Sequence, residues 1–442
     1  MILRGGIVIT NNPRRDIFYD HALHVADDTI GAIFRSDAPG NDSGDEVFDA
    51  TGLVIIPGFV QTHLHLCQTL FRGLADNLEL LDWLREKIFP FEAAHNDRSM
   101  YASAMLGVAE LVRSGTTTIL DMGSIHHEEE IIRAVGETGL RAHLGKAMMD
   151  VNDIVPKLRE STKESLGSTR ALAERWHRSY DGRIHYAPAP RFALSCSEEL
   201  MRSTGEMVQA TDGMILHTHA SEHRGEIDAV RRLSGMENIE YLESLSLLSE
   251  RACVAHCVHV NSHEMDILAS TRTNIAHCPS SNLKLASGIA DIPSLLARGI
   301  NVGIGADGAP CNNSLNIFQE MRLASILQKP KYGAKAMPAE KVFEMATLGG
   351  AKALGLDQAI GSIEPGKKAD LVVLDLGKVW NPLHGELYSS IVYSASPENV
   401  HSVMIDGKWI YRRREFVGFD EQKIVSEGKV ELKRLLDRVE GL

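Results

Sequence analysis

Apolar residues in this chain gather in short runs, and from about residue 57 to 364 each run is followed by a stretch with helical spacing. The runs cover 58–63, 116–122, 141–148, 183–187, 213–219, 252–256, 273–277 and 300–307. Eight strands alternating with helices predict a (β/α)₈ barrel of the α/β class. In that architecture the active site gathers at the C-terminal ends of the strands, so chemistry is expected where each run stops. Shorter β-like runs flank this section: 6–10, 22–25, 29–33, 47–50 and 53–56 before it, 369–375 and 400–411 after it. Asp406-Gly407 is a hairpin turn signal, and the Gly-, Asp- and Ser-rich segment 39–46 reads as a loop. The two β-rich ends imply one small domain assembled from both termini. The expected boundaries are 1–56, a barrel at 57–364, and 365–442, with a surface helix over 422–442.

The run ends carry the chemistry. His63 and His65 close the first run, His219 the fifth, His256 the sixth, His277 the seventh and Asp307 the eighth; Glu222 follows His219 by three residues. One histidine at a strand end is ordinarily a hydrogen-bonded polar residue, but this many at the same end of one barrel argue for a site. Side chains alternate along a strand, so His63 and His65 share a face. Three histidines and one carboxylate with an open position suit a catalytic metal site that activates water for hydrolysis. Glu222 could protonate a substrate, Asp307 could take a proton from the attacking water, and His256 could hydrogen-bond the hydroxide or the developing oxyanion. His217 faces the same way as His219 but deeper, where a structural role is expected. Cys67, Cys257 and Cys278 are expected to pack rather than ligate, and a His-x-Glu/Pro-Cys-x-x-Cys zinc pattern is absent.

Composition narrows the picture. At 442 residues the chain exceeds one ordinary core, which a barrel with an added module accommodates. A net charge of −13 disfavours a polyanion-binding surface, so nucleic acid is not an expected partner. No apolar run approaches the ~20 residues of a membrane span, and the N-terminus lacks the pattern of a signal peptide. Six cysteines without a Cys-x-x-Cys pair read as reduced thiols of a cytoplasmic protein.

The segments PGFVQTHLH, HTHASE, AHCVH, IAHCPSSN and GADGAPCNNS resemble the amidohydrolase superfamily, specifically its aminohydrolase (deaminase) branch, over essentially the whole chain. GSIEPGKKADLVVLD is similar to that family's return into its small domain. The resemblance implies a TIM barrel with a composite β-sandwich domain, a small-molecule substrate and a homo-oligomer. It also implies one divalent metal ion per chain, zinc first and iron second, held by His63, His65, His219 and Asp307. Glu222 and His256 would then be the acid/base and orienting groups. Binuclear relatives carry a carboxylated lysine at strand four; this chain has HYAPAPRF there, which implies a single metal.

Two subfamilies compete for the substrate. Segments 280–290 and 305–329 resemble deaminases of adenosine, methylthioadenosine and S-adenosylhomocysteine, whereas segments 145–166, 187–201 and 219–231 resemble guanine deaminase. Nucleoside-type enzymes have His where this chain has Arg191, and Arg near the third strand where it has Lys146. Guanine deaminases match at both positions and at Gln68. A guanidinium and an amide suit a flat base with an exocyclic carbonyl. Guanine is therefore the expected substrate, with a pterin-type base next and adenosine-type nucleosides as the alternative. Triazine hydrolysis is a further possibility on the same scaffold, and a catalytically dead scaffold is disfavoured by the complete constellation. Glu92 and His277 join Gln68 and Arg191 as substrate-contact candidates, while Trp83 and Phe89 are expected to line the pocket mouth or pack beneath the loop.

Overall fold

The computed structural model describes residues 1–37, 46–382 and 385–441. All but the last residue of the expected 39–46 loop lies outside them. The eight expected runs form eight parallel strands: Phe59–His65, Thr116–Asp121, Arg141–Leu144, Ile184–Tyr186, Leu216–Ala220, Ala252–His256, Asn274–His277 and Val302–Ile304. The first strand pairs with both the second and the eighth. Nearly every residue of these strands is buried, as expected when helices cover one face and a filled interior the other.

The ladder between the fourth and fifth strands is irregular. The fourth strand breaks after Tyr186 and resumes as Ala189–Pro190 beside Ala147–Met148. The circle closes there through His217 N–H to Pro188 O (3.3 Å) and His219 N–H to Arg191 O (3.1 Å). Pro188 and Pro190 cannot donate to a ladder, which explains the break. It also places the backbone of Arg191 against the fifth-strand histidines.

Both termini build one nine-stranded sheet. Five strands come from the N-terminal side: Ile2–Ile9, Ile17–Ala26, Thr29–Arg35, Val47–Asp49 and Val54–Pro57. Four come from the far end: Leu371–Leu374, Val400–Ile405, Lys408–Arg412 and Glu415–Phe416. The seam is antiparallel, with Val372 opposite Ile56 and Val373 opposite Ile55. Pairing runs continuously through the sheet rather than dividing it into two separately paired layers, and its apolar face closes over a core that includes Leu23, Ile55 and Met404. Asp406 and Gly407, with φ of 47° and 70°, make the hairpin turn between Val400–Ile405 and Lys408–Arg412.

A buried ion cluster ties this sheet to the barrel floor. Arg141 at the start of the third strand donates to both oxygens of Asp370 (2.8 and 3.1 Å) and to Asp406. The terminal helix, Glu421–Val439, lies along helix Asp97–Arg113, and Arg438 donates to Ala94 O at 2.6 Å. Its buried Leu435 joins the apolar cluster beneath the helical segment Leu80–Ala93, which roofs the catalytic end.

Candidate active site

The strand ends converge as the fold requires. Asp307 pairs with Leu64 and Gly308 with His65, which fixes the eighth-strand carboxylate beside the first-strand histidines. Three turns leaving the strand ends use left-handed backbone without glycine: Ser221 (φ 55°), His256 (φ 76°) and Asp307 (φ 63°). Such conformations are uncommon for these residue types and cluster at sites where they aim a side chain. Gly308 is needed for space, since a Cβ there would lie 2.1 Å from Gln68 Oε1.

The donor set fits a divalent ion. His65 Nε2 lies 3.2 Å from His219 Nε2 and 3.5 Å from Asp307 Oδ1; His63 Nε2 lies 3.3 Å from the same oxygen. Donors about 2.0–2.1 Å from a tetrahedral ion are separated by about 3.3–3.4 Å, so these spacings are those of a ligand shell. Two ring nitrogens facing each other at 3.2 Å need a cation or a shared proton between them. His63 Nε2 is buried without a hydrogen-bond partner among the described residues, as a ligand atom awaiting an ion would be.

Neighbouring groups set the tautomers. His219 Nδ1 faces Arg191 O at 2.7 Å, so this nitrogen carries the proton and Nε2 presents its lone pair. For His63 the device is a relay: His217 Nδ1 donates to Cys253 O (2.9 Å), and His217 Nε2 accepts from His63 Nδ1 (2.8 Å). His217, expected to be merely structural, thereby fixes the ligating face of His63. Its i−2 spacing from His219 was the signal in the sequence, but the partner on another strand was not visible there. Asp307 is anchored by Ser281 Oγ (2.5 Å) and by Gly308 N–H (2.7 Å).

Glu222 and His256 complete the polar end. Glu222 Oε2 lies 3.4 Å from His256 Nε2, which is 3.9 Å from Asp307 Oδ2. Burial, reinforced by Asp307 and Glu226, pushes the Glu222 carboxyl well above the usual range, so it holds its proton. Burial alone would raise Asp307 too, but His63, His256 and His65 outweigh it and hold that carboxyl well below the usual range. Two nearby carboxyls are thus driven apart, the arrangement of an acid beside a base. Burial pushes His256 down to about 4, and its Nδ1 lies 2.9 Å from Asn282 Oδ1. Neutral His256 protonated at Nδ1 presents a lone pair at Nε2, so it accepts a hydrogen bond from water rather than donating to an oxyanion. Glu226 receives the Glu222 N–H (2.8 Å) and Asn238 (2.6 Å), which holds the Glu222 turn in place.

The substrate-contact candidates separate in space. Arg191 lines the cavity beside His65, His219, Glu222, His256 and Asp307, but its guanidinium is taken. It binds Glu92 through two contacts, Nη1 to Oε2 (2.7 Å) and Nη2 to Oε1 (3.1 Å), and Gln68 Nε2 donates to Glu92 Oε1 (2.8 Å). Arg191 and Gln68 were expected to present free donors to a base carbonyl; Glu92 occupies both, because a buried guanidinium needs an anion close by. Gln68, Glu92 and His277 do not line the cavity. Burial pushes His277 down to about 3, and neither ring nitrogen has a partner among the described residues. Lys146 is buried against Glu160, also away from the cavity. The lining also includes Leu80, Trp83 and Leu84 from the roof, with Phe192 and Leu285, all members of one apolar cluster.

Comparison with known proteins agrees with this architecture. The amidohydrolase family model matches residues 54–410. A 5'-deoxyadenosine deaminase of Methanothermobacter thermautotrophicus is 41% identical over 402 residues, 91% of each chain. An adenosine deaminase from Xanthomonas campestris, solved with bound zinc, superposes with a TM-score of 0.92 at 30% identity, covering 99% of this chain and 98% of its own. The guanine deaminase of E. coli superposes with a TM-score of 0.84 at 29% identity, over 93% and 99%. The chain belongs to the amidohydrolase family, and it is a hydrolytic deaminase acting on C–N bonds of cyclic amidines. Among the described residues no helix is long and apolar enough to cross a membrane.

Proposed function

Within the amidohydrolase family, we propose that this chain deaminates an adenosine-type nucleoside, 5'-deoxyadenosine or a 5'-methylthio relative, rather than guanine. The observation that carries this is the Arg191–Glu92–Gln68 cluster: the donors that would read a guanine carbonyl, the Arg191 guanidinium and Gln68 Nε2, are both held by Glu92. An adenine base has no exocyclic carbonyl for them to read, and the apolar part of the lining suits a sugar with an apolar 5' end. The 41% identity to a 5'-deoxyadenosine deaminase supports the same reading. Guanine, the expectation from Arg191 and Gln68 as isolated residues, remains the second reading because of the E. coli neighbour.

We assign the ion to His63, His65, His219 and Asp307, one zinc per chain, with iron the second choice for such a donor set. When bound, a divalent ion supplies Lewis acidity that lowers the pKa of water from 15.7 to about 7. The protein groups then act around the amidine carbon. Glu222, protonated by burial, donates to the ring nitrogen next to the reacting carbon, drawing electron density away from it. His256 Nε2 accepts a hydrogen bond from the attacking water and orients it. Asp307 Oδ2, ionised and beside His256, takes one proton of the attacking water and delivers it to the departing amino group as ammonia, while the water's other proton restores Glu222. An ammonia-release panel of 5'-deoxyadenosine, methylthioadenosine, guanine, a pterin and a triazine tests the reading on metal-loaded protein. Turnover of guanine with the nucleosides untouched would overturn it.

A further inference from the structure

One buried carboxyl lies behind the site and takes no part in the chemistry above. Glu320 is on helix Ile317–Ile326, which follows the eighth-strand turn, and it is completely buried. A carboxylate removed from water is costly unless donors surround it, and Glu320 has three. Ser280 gives its N–H to Oε2 (3.1 Å) and its hydroxyl to Oε1 (2.5 Å), and Asn312 Nδ2 donates to Oε1 (2.9 Å). The same Asn312 amide donates to Ala306 O at 2.8 Å. Ser280 belongs to the turn after the seventh strand, while Ala306 and Asn312 lie on either side of Asp307 in the turn after the eighth. Glu320 therefore fastens these two turns together from behind.

The fastened turn carries Ser281, also fully buried, whose hydroxyl donates to Asp307 Oδ2 at 2.5 Å. The other oxygen, Oδ1, accepts the Gly308 N–H (2.7 Å) and lies 3.3 Å from His63 Nε2 and 3.5 Å from His65 Nε2. One oxygen thus faces the ligand histidines, and its twin is held on the side of His256 Nε2, 3.9 Å away. The last torsion of an aspartate is broad, so the side chain does not fix this division by itself. Nor does the backbone, which at Asp307 is left-handed (φ 63°) and persists only where its surroundings hold it. Ser281 settles which oxygen is which, and Ser281 is placed by the turn that Glu320 clamps.

We propose that Glu320 is a positioning residue for the deamination. Through Ser280 and Asn312 it holds Ser281 against Asp307 Oδ2, which keeps Oδ1 turned to the ligand histidines and Oδ2 aimed at the reacting atoms. The inference rests on the double role assigned to Asp307 above. Glu320→Gln keeps the shape of the side chain but puts an NH2 group where donors converge. The test takes Ser281→Ala, Glu320→Gln and the double variant, with Asp307→Ala as control. Zinc affinity is read by competition with a chromophoric chelator, and kcat and KM on the fastest substrate of the ammonia-release panel. Each single variant should lose about 10-fold in zinc affinity and in kcat with KM little changed, as for loss of an outer partner of a metal ligand. The double variant should be no worse than the weaker single one, because both act on one contact. Ser281→Thr, which keeps the hydroxyl, should recover most of the loss. Losses that multiply in the double variant, or an unaltered Glu320→Gln, would overturn the proposal. If Glu320→Gln does not fold, Ser280→Ala takes its place: its loss should vanish in the Ser281→Ala background, and a loss that persists there overturns the proposal. Unchanged zinc affinity and kcat in Asp307→Ala would refute the role of Asp307 itself, and the brace with it.

Discussion

Replacing His217 tests whether the relay behind His63 governs metal binding. Both rings are fully buried, and His217 Nε2 accepts the His63 Nδ1 proton at 2.8 Å. In His217→Leu that fully buried N–H loses its acceptor, which costs about 1–3 kcal/mol. His63 can escape the cost by moving its proton to Nε2, but that removes the lone pair that faces His65 and Asp307. Either route weakens the ligand by a similar amount, so metal affinity should fall about 10–100-fold, the range expected for loss of an outer partner of a ligating histidine. His217→Gln, whose amide oxygen can replace the acceptor, should recover most of the loss. Competition against a chromophoric chelator measures the affinity directly, and thermal unfolding of the metal-free forms separates it from a general loss of stability. An unchanged affinity in His217→Leu would refute the relay.

In the proposed role Glu222 is the proton donor, and burial holds its carboxyl well above the usual range, so kcat/KM should be sustained on the acid side of that raised pKa and fall as pH rises through it. Glu222→Gln should abolish turnover while leaving metal content intact, as read by a pH–rate series and metal analysis. Arg141→Met leaves Asp370 and Asp406 buried without their cation, so it should destabilise the protein by about 3–5 kcal/mol in denaturant unfolding. Its effect on kcat/KM at low temperature should be small, because the cluster sits at the barrel floor.

The strand pattern and the residues ending each strand were legible because a parallel barrel repeats one simple rule, an apolar run that stops at the catalytic face. His63, His65 and His219 cluster in space, with Asp307 Oδ1 3.3 Å from His63 Nε2 and 3.5 Å from His65 Nε2. What was not legible depended on side-chain geometry between strands distant in sequence. The His217 relay needs Cys253 O on the neighbouring strand, and nothing in HTH reports it. Arg191 and Gln68 read as free base-recognition groups because Glu92, 99 residues from Arg191, had no visible link to them. Capture by Glu92 follows from the cost of a lone buried guanidinium, which becomes apparent once the fold puts both at the same depth. His277 obeyed the strand-end rule yet does not line the cavity, so the rule locates a face of the barrel rather than a contact. The composite sheet was read correctly as joining both termini, but the unbroken pairing across Val54–Pro57 and Leu371–Leu374 is a matter of register that single-strand patterns do not carry.

The central claim is that this metal site serves an adenosine-type nucleoside because Glu92 has taken the groups that would read guanine. Equimolar 5'-deoxyadenosine and guanine in one reaction with metal-loaded protein give the ratio of their kcat/KM values directly from the two products. The account expects the nucleoside to be consumed first by a wide margin. Preferential loss of guanine would contradict it and return Arg191 and Gln68 to the role of base readers.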